Sequence, residues 1–230
     1  MAGAFTLVLE TSTPHASLAS IGRDGRLELR EFTSDRSHNA QMFSPLKELL
    51  DGRGEETIGL VLVGSGPGSY SGTRVGIAAA QGVAIAAGCP AVALPSILAV
   101  VSAEGGAACL AIGDARRGSY WTARIEHSCL LNEPELTDAG GLAEIVLEAV
   151  IAGIPVFSFE DPARFPLPPE LRSQVRLEFP NAQRLWRAWQ LTDPATRDQW
   201  TRATPQPIYL KPPHITPAKR SWLVQPLADI

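Results

Sequence analysis

The strongest constraint on the fold is a glycine-rich stretch that joins an apolar run to a helix of small residues. Residues 57–64 form a continuous apolar run of strand length, which is typical of a strand in the middle of a sheet. Residues 64–76 hold five glycines, and residues 73–87 are rich in Ala and Gly. A buried strand, a loop and a helix in this order predict an α/β fold.

A glycine-rich loop between a strand and a helix N-terminus is a common place for phosphate binding. This loop fits neither familiar phosphate-binding pattern, because it contains no lysine and has Ser71 where a dinucleotide-binding loop has its third glycine. Arg74 remains as a residue that either pairs with a phosphate or is held structurally.

One face of the predicted helix has very little side-chain bulk. Gly72, Gly76 and Ala80 follow one another at intervals of four residues, which places them on one side of the helix. Ala79 and Val83 lie beside them. Such a face allows close approach of another helix, either the chain's own preceding helix or helices of another chain. The spacing leaves both alternatives open.

The start of the chain recurs in its middle. At a constant offset of 104 residues, Glu10 matches Asp114 and Ile21 matches Ile125. Both copies have the order strand, acid, turn, strand, which favours two related halves. We expect these halves at residues 1–103 and 104–213, followed by a proline-rich tail at 214–230 that packs on the surface or returns to the first half.

Hydrophobic periodicity predicts the remaining elements. Ser37 is a candidate N-cap for a helix over residues 41–50, where Pro45 is acceptable only in the first turn. The other predictions are strands at residues 16–21, 27–29 and 156–159 and helices at 96–103, 142–151 and 184–191.

Charge and cysteine content exclude several classes of function. The net charge is −4, so the chain does not hold nucleic acid by a basic field of its own. Three cysteines without a CxxC pair predict a reducing compartment, and residues 5–9 do not resemble a signal peptide. The uncharged residues 75–94 are interrupted by Gln81, Gly88 and Pro90, which argues against a membrane span. We expect a cytoplasmic protein.

Enzyme motifs are weak. The four histidines are scattered, without HxxxH or HExxH, and GxSxG does not occur, so metal-dependent and serine-nucleophile hydrolysis lack support. Glu10 and Asp114 end the first strand of each half, where an ATP-dependent phosphotransferase would need acids beside its phosphate-binding turns. Pro14, however, has no N–H to donate to a phosphate.

Residues 64–77 (GSGPGSYSGTRVGI) resemble the signature of the TsaB (YeaZ) family. Four more segments fit that family in the same order, at residues 9–13, 37–38, 114–118 and 207–211. The chain departs from the family at Glu10, where Asp is commoner, and matches poorly over residues 163–180. The resemblance implies an actin-like, ribonuclease H-like fold in two halves.

The resemblance also implies a function. Members of this family are regarded as non-catalytic subunits that work with TsaD and the ATPase TsaE in threonylcarbamoyl transfer to an adenosine beside the tRNA anticodon. ATP or ADP and metal would then belong to the partner subunits, with none bound by this chain alone, and tRNA would be reached through the complex. The alternatives are the actin-like phosphotransferase and, with least support, a stand-alone metallopeptidase.

The expected mechanism is association of two helices with matching helices of TsaD, or with a second copy of the chain. The predicted interface residues are Met42, Phe43, Leu46, Leu50, Gly72, Gly76, Ala79, Ala80 and Val83. Candidate contacts to a shared nucleotide or tRNA are Thr11, Ser12, Arg74, Arg116 and Arg117. Each of these polar residues has a simpler structural alternative as part of a turn.

Overall fold

Two sheets with the same strand order form the framework of the protein. A computed structural model describes residues 3–33 and 38–210. The first sheet has the order β3-β2-β1-β4-β5. Its strands are β1 (Ala4–Glu10), β2 (His15–Ile21), β3 (Leu27–Thr33), β4 (Thr57–Gly64) and β5 (Ala91–Leu94). β1 to β3 form an antiparallel meander, and β4 and β5 continue it in parallel.

The second sheet repeats this plan. Its order is β11-β10-β6-β7-β8, with β9 also paired to β7. Its strands are β6 (Cys109–Asp114), β7 (Tyr120–Glu126), β8 (Cys129–Leu130), β9 (Glu135–Thr137), β10 (Val156–Ser158) and β11 (Val175–Leu177). β6 and β7 are antiparallel, and β10 and β11 are parallel additions. The predicted repeat of strand, acid, turn and strand is therefore confirmed, with Glu10 ending β1 and Asp114 ending β6.

Six α-helices accompany the sheets in the described residues. They are α1 (His38–Asp51), α2 (Tyr70–Ala87), α3 (Ala139–Ile151), α4 (Pro169–Arg172), α5 (Ala182–Leu191) and α6 (Pro194–Arg202). The predicted helix at 96–103 is instead two 3-10 segments, Ser96–Leu98 and Val101–Gly106. None of the described helices is long and apolar enough to cross a membrane.

α1 and α2 cover one face of the first sheet. The core beneath them joins side chains of β1 and β4 to Met42, Leu49 and Ile77. α1 is longer than predicted, so Pro45 lies in its interior rather than in its first turn. The predicted N-cap Ser37 lies outside the described residues.

Capping explains where α2 begins and ends. The hydroxyl of Ser69 accepts a hydrogen bond from the Gly72 amide, as an N-cap residue does. At the other end Gly88 adopts φ 66°, a left-handed conformation that favours glycine. The predicted end of this helix is confirmed, whereas its start lies three residues earlier than predicted.

The C-terminal part of the described chain returns to the first half. α5 packs on the opposite face of the first sheet, and the Ala182 amide donates to the Ser17 hydroxyl at 2.8 Å. Residues 203–210, here called the return segment, then contact α2, where Arg74 donates to the Tyr209 hydroxyl and Gln81 to the Pro205 carbonyl. The Ile208 amide also donates to the Ser65 carbonyl of the glycine-rich loop at 2.9 Å. The predicted tail at 214–230 lies beyond the described residues.

Candidate functional site

A cleft of about 780 Å³ lies between the two halves. Its walls are the β1–β2 turn, the glycine-rich loop, the β6–β7 turn and the loop that follows β10. Ser12 and Arg116, two of the predicted contact residues, both line it, and Tyr70, Phe159 and Phe179 add aromatic surface. The cleft is the place in this fold where a small ligand would be enclosed from both sides.

The glycine-rich loop is fastened to its own chain. The Ser69 amide donates to the Ser12 carbonyl at 2.6 Å, and the Gly66 amide donates to the Ser96 hydroxyl at 3.0 Å. A Cβ atom on Gly68 would lie 2.3 Å from the Ser12 carbonyl oxygen, so glycine is required for this approach. These two amides are therefore not available to bind a phosphate.

Thr11 also connects the β1–β2 turn to the segment that follows β4. Its side chain is buried, and its hydroxyl donates to the Gly72 carbonyl at 2.8 Å. The prediction that Thr11 contacts a nucleotide or tRNA is therefore corrected: its hydroxyl ties the β1–β2 turn to the first turn of α2. Ser12 is also buried, but its hydroxyl makes no hydrogen bond of normal geometry within the described residues.

Glu10, the last residue of β1, has no exposed surface. Its Oε1 accepts a hydrogen bond from the Ser12 amide at 2.7 Å, while Oε2 makes none of normal geometry in the described part of the chain. A Cβ atom on Gly64 would lie 1.9 Å from Oε2. The absence of a side chain at Gly64 thus makes room for the longer acid that replaces the family's commoner Asp.

Burial raises the pKa of Glu10, and the adjacent Ser12 and Ser96 only partly oppose this effect. Above the pKa that Glu10 has in the unfolded chain, the native state keeps a proton that the unfolded state has released. We therefore expect the free energy of unfolding to fall as the pH rises toward the raised pKa. Glu10→Gln should remove this fall, because the amide cannot ionise.

Urea unfolding from about pH 5 to about pH 8 measures this dependence. The stability of Glu10→Gln relative to the original chain should increase with pH. Glu31→Gln, which changes an exposed acid on β3, is the matched control. Parallel pH profiles for the original chain and Glu10→Gln would contradict a protonated, buried Glu10.

On the second half's side of the cleft, Asp114 forms ion pairs with two arginines. Arg116 approaches its Oδ2 at 3.2 Å and Arg164 at 3.6 Å, and Arg164 also lies 3.9 Å from Glu160. Arg116 and Arg117 both have positive φ, 66° and 62°, which is unusual for side chains other than Gly, Asn or Asp. The tight turn between β6 and β7 thus directs Arg116 back to Asp114, while Arg117 is exposed.

These acids do not fit the metal-bound nucleotide of an actin-like phosphotransferase. Glu10 has no exposed surface from which to bind an ion, and Asp114 is shared between two guanidinium groups. Among residues 3–33 and 38–210, no three His, Cys, Asp or Glu side chains come together as candidate metal ligands.

The small-residue face of α2 points inward. Gly72, Gly76 and Ala80 are buried, as are Met42 and Leu46 of α1. The prediction that these five residues contact a partner is corrected, because they pack against the sheet and turns of their own chain. The first of the two alternatives, internal packing, holds for this face, although its main contact is the sheet rather than α1 alone.

A different side of α1 and α2 remains exposed. We call it the outer face and define it by Phe43, Arg74, Ala78, Gly82 and Ile85. Phe43 is 58% exposed and Ile85 83% exposed, and a Cβ atom on Gly82 would meet nothing within 4 Å.

Three further predicted interface residues border this outer face. Leu50, Ala79 and Val83 are partly buried against the core, so they are still within reach of a partner. Sequence reasoning missed Gly82 and Ile85. Arg74, Ala78 and Gly82 recur at intervals of four residues, and this spacing could have predicted the outer face.

Comparisons with known proteins agree with this fold. A sequence model of the family described as "TsaD: tRNA N6-adenosine threonylcarbamoyltransferase" matches residues 32–168, more than half of the chain. The chain belongs to this family. Among curated proteins, it is 32% identical over 99 residues to the tRNA threonylcarbamoyladenosine biosynthesis protein TsaB of Haemophilus influenzae, which covers 42% of each chain.

The TsaB protein of Escherichia coli is 30% identical over 122 residues, which cover 50% of this chain and 52% of that protein. The chain thus spans about half the length of the curated relatives it matches. Two solved structures from Pseudomonas aeruginosa show the same fold over 90% of this chain and 100% of theirs. One is YeaZ, at 20% identity and TM-score 0.62, and the other is described as similar to peptidase YeaZ, at 21% and 0.66. The resemblance to TsaB (YeaZ) and the actin-like α/β fold in two halves are confirmed.

Proposed function

We propose that the protein is a non-catalytic subunit of the machinery that makes threonylcarbamoyladenosine in tRNA. It acts by pairing with a TsaD-like protein through the outer face, which orients the catalytic site of that partner. The observation that carries this proposal is the outer face itself, an exposed apolar and small-residue surface on two adjacent helices. Family membership supports the same reading.

The composition of the outer face suits protein association. Phe43 and Ile85 are large apolar side chains left mostly in water, and exposed apolar surface is available for interaction with a partner. On α2, the exposed Ala78 and Gly82 leave the backbone accessible to close approach. Arg74 is the only charged residue of α2, so a partner helix would meet little charge to desolvate.

The cleft supports a non-catalytic role for this chain. Glu10 is buried and Asp114 is paired with two arginines, and the amides of Gly66 and Ser69 in the glycine-rich loop donate to the chain's own oxygens. We infer that ATP or ADP and metal are bound by TsaD-like and TsaE-like partners and that tRNA is reached through the complex. With a net charge of −4 the chain leaves most phosphate contacts to those partners. Its three unpaired cysteines are consistent with a cytoplasmic location, which we also propose.

Ile85→Glu tests the interface directly. We expect the affinity for the TsaD-like protein to fall by about 100-fold or more, because a carboxylate would be buried in an apolar contact. Calorimetric titration and co-elution measure the loss. Leu131→Glu introduces the same carboxylate at another exposed aliphatic residue, 60% exposed in the second half, and should bind normally.

Three results would count against this proposal. Unchanged co-elution of the Ile85→Glu variant would remove the outer face as the interface. ATP turnover by the isolated chain would favour the phosphotransferase alternative. We also expect the uncovered outer face to form a homodimer, and light scattering measures the mass of the free chain. A strict monomer at high concentration would contradict this homodimer.

A further inference from the structure

Arg74 is held between two tyrosine rings at the N-terminal end of α2. Its guanidinium carbon lies 3.7 Å from the centre of the Tyr70 ring and 5.5 Å from that of Tyr209. Its Nη2 also donates to the Tyr209 hydroxyl at 3.0 Å. Tyr70 comes from the same helix, whereas Tyr209 is supplied by the return segment. The guanidinium group is therefore fixed by contacts from two parts of the chain.

This guanidinium group has no acidic partner in the described residues, since no carboxylate of that part lies within 4 Å of it. Arg30, Arg53 and Arg164, by contrast, each lie within that distance of a glutamate or aspartate. Arg74 is also the only charged residue between residues 57 and 94. A cation is thus presented on an otherwise uncharged helix.

The chemistry of the group indicates what would neutralise it. A guanidinium presents a planar fork of five N–H donors that matches a carboxylate with two parallel hydrogen bonds, so Arg74 has donors to offer besides the one that binds Tyr209. The tyrosine rings fix the side chain beforehand, so less rotamer freedom is lost when a partner binds. Tyrosine and arginine are also the residue types that most often dominate the energy of protein interfaces.

A carboxylate of a protein fits this surface better than a phosphate of RNA. Phosphate recognition relies on several cations that act together, and α2 contributes only this one. The chain as a whole is acidic, with 24 Asp and Glu against 20 Lys and Arg. A single arginine on an apolar face instead suits one acidic side chain at the edge of a helix contact.

We propose that Arg74, clamped between Tyr70 and Tyr209, is the docking point for a carboxylate of the TsaD-like partner. This inference rests on the proposed function and deepens it, because it specifies the chemistry that the partner brings to the outer face. It also assigns a role to the return segment, which holds the arginine in place through Tyr209.

The test is a titration of the TsaD-like protein with the full chain and its variants. Arg74→Ala should weaken binding by about 30-fold or more, as truncation of one partner of a buried charge pair does. Arg74→Lys should recover little, because an ammonium group cannot form the planar fork. Tyr209→Phe, which keeps the ring but removes the hydroxyl, should lose less than Tyr209→Ala. Arg23→Ala removes an exposed arginine elsewhere and controls for net charge.

A double-mutant cycle identifies the carboxylate. Each exposed acid on the partner's contact surface is changed to its amide, and one of these changes should have almost no effect once Arg74 is alanine. Normal binding by Arg74→Ala, or a cycle in which every acid acts independently of Arg74, would overturn the proposal while the pairing function stands. If Arg74→Ala weakened only the binding of tRNA to the complex, the group would be a phosphate contact and the proposal would be wrong. If the original chain did not bind the TsaD-like protein at all, the proposed function itself would fail.

Discussion

Gly76→Ala should lower the free energy of unfolding by about 2–4 kcal/mol, although alanine is the better helix former. A Cβ atom at this position would lie 2.2 Å from Thr11 Oγ1 and 3.6 Å from a methyl group of Val63. The Thr11 hydroxyl cannot move aside freely, because it is buried and donates to the Gly72 carbonyl at 2.8 Å. Urea unfolding measures the loss.

Gly82→Ala is the matched control on the same helix. A Cβ atom there would meet nothing within 4 Å, so only helix propensity changes, and we expect a gain of up to about 1 kcal/mol. The two variants should thus shift stability in opposite directions. Equal effects at both positions would show that the inward and outward sides of α2 are assigned wrongly.

This pair of glycines also shows where sequence reasoning was sufficient and where it was not. The apolar run before the loop and Gly88 located α2 and its end from local chemistry, whereas the cap at Ser69 was missed and the start was predicted three residues too late. The interval of four residues between Gly72, Gly76 and Ala80 correctly placed them on one face of the helix. It could not say what that face meets, because close approach to a sheet and close approach to a foreign helix demand the same small residues.

Some features of the candidate site could likewise be predicted from the sequence, and others could not. The equivalence of Glu10 and Asp114 was visible in the repeat, since both acids end the first strand of a half. The ion pair between Asp114 and Arg164 was not visible, because it joins segments that only the folded second sheet brings together. The clamp on Arg74 was hidden for the same reason, since Tyr209 lies 135 residues further along the chain.

Arg53 is the clearest case of a residue that sequence reasoning passed over. It follows α1 in a turn, where an arginine is ordinarily solvated, yet its side chain is only 2% exposed. Its Nε donates to the Ser20 hydroxyl at 3.0 Å. Its Nη2 donates to the carbonyls of Ser20 at 2.6 Å and Arg26 at 2.8 Å. One guanidinium group thereby joins the end of α1 to the β2–β3 hairpin.

Arg53→Met should therefore lower the free energy of unfolding by about 3–5 kcal/mol, as loss of a buried, hydrogen-bonded charge does. Methionine fills much of the space but removes the donors to the buried hydroxyl and carbonyl of Ser20. Arg53→Lys should also be destabilising, because a single ammonium group cannot span acceptors on β2 and in the turn before β3. Arg26→Met is the control. That side chain is 64% exposed, and its loss should cost no more than about 1 kcal/mol, while its carbonyl still accepts from Arg53.

Binding of the TsaD-like partner by the Arg53→Met variant adds a functional consequence. The outer face depends on the position of α1, and Arg53 fixes the end of that helix to the hairpin. At a temperature where the variant remains folded, we expect its affinity for the partner to fall by about tenfold, since a mobile helix must be ordered on binding. Partner affinity equal to that of the original chain would show that packing of Met42 and Leu49 alone is sufficient to position α1. Stability equal to that of Arg26→Met would contradict the structural role of Arg53 itself.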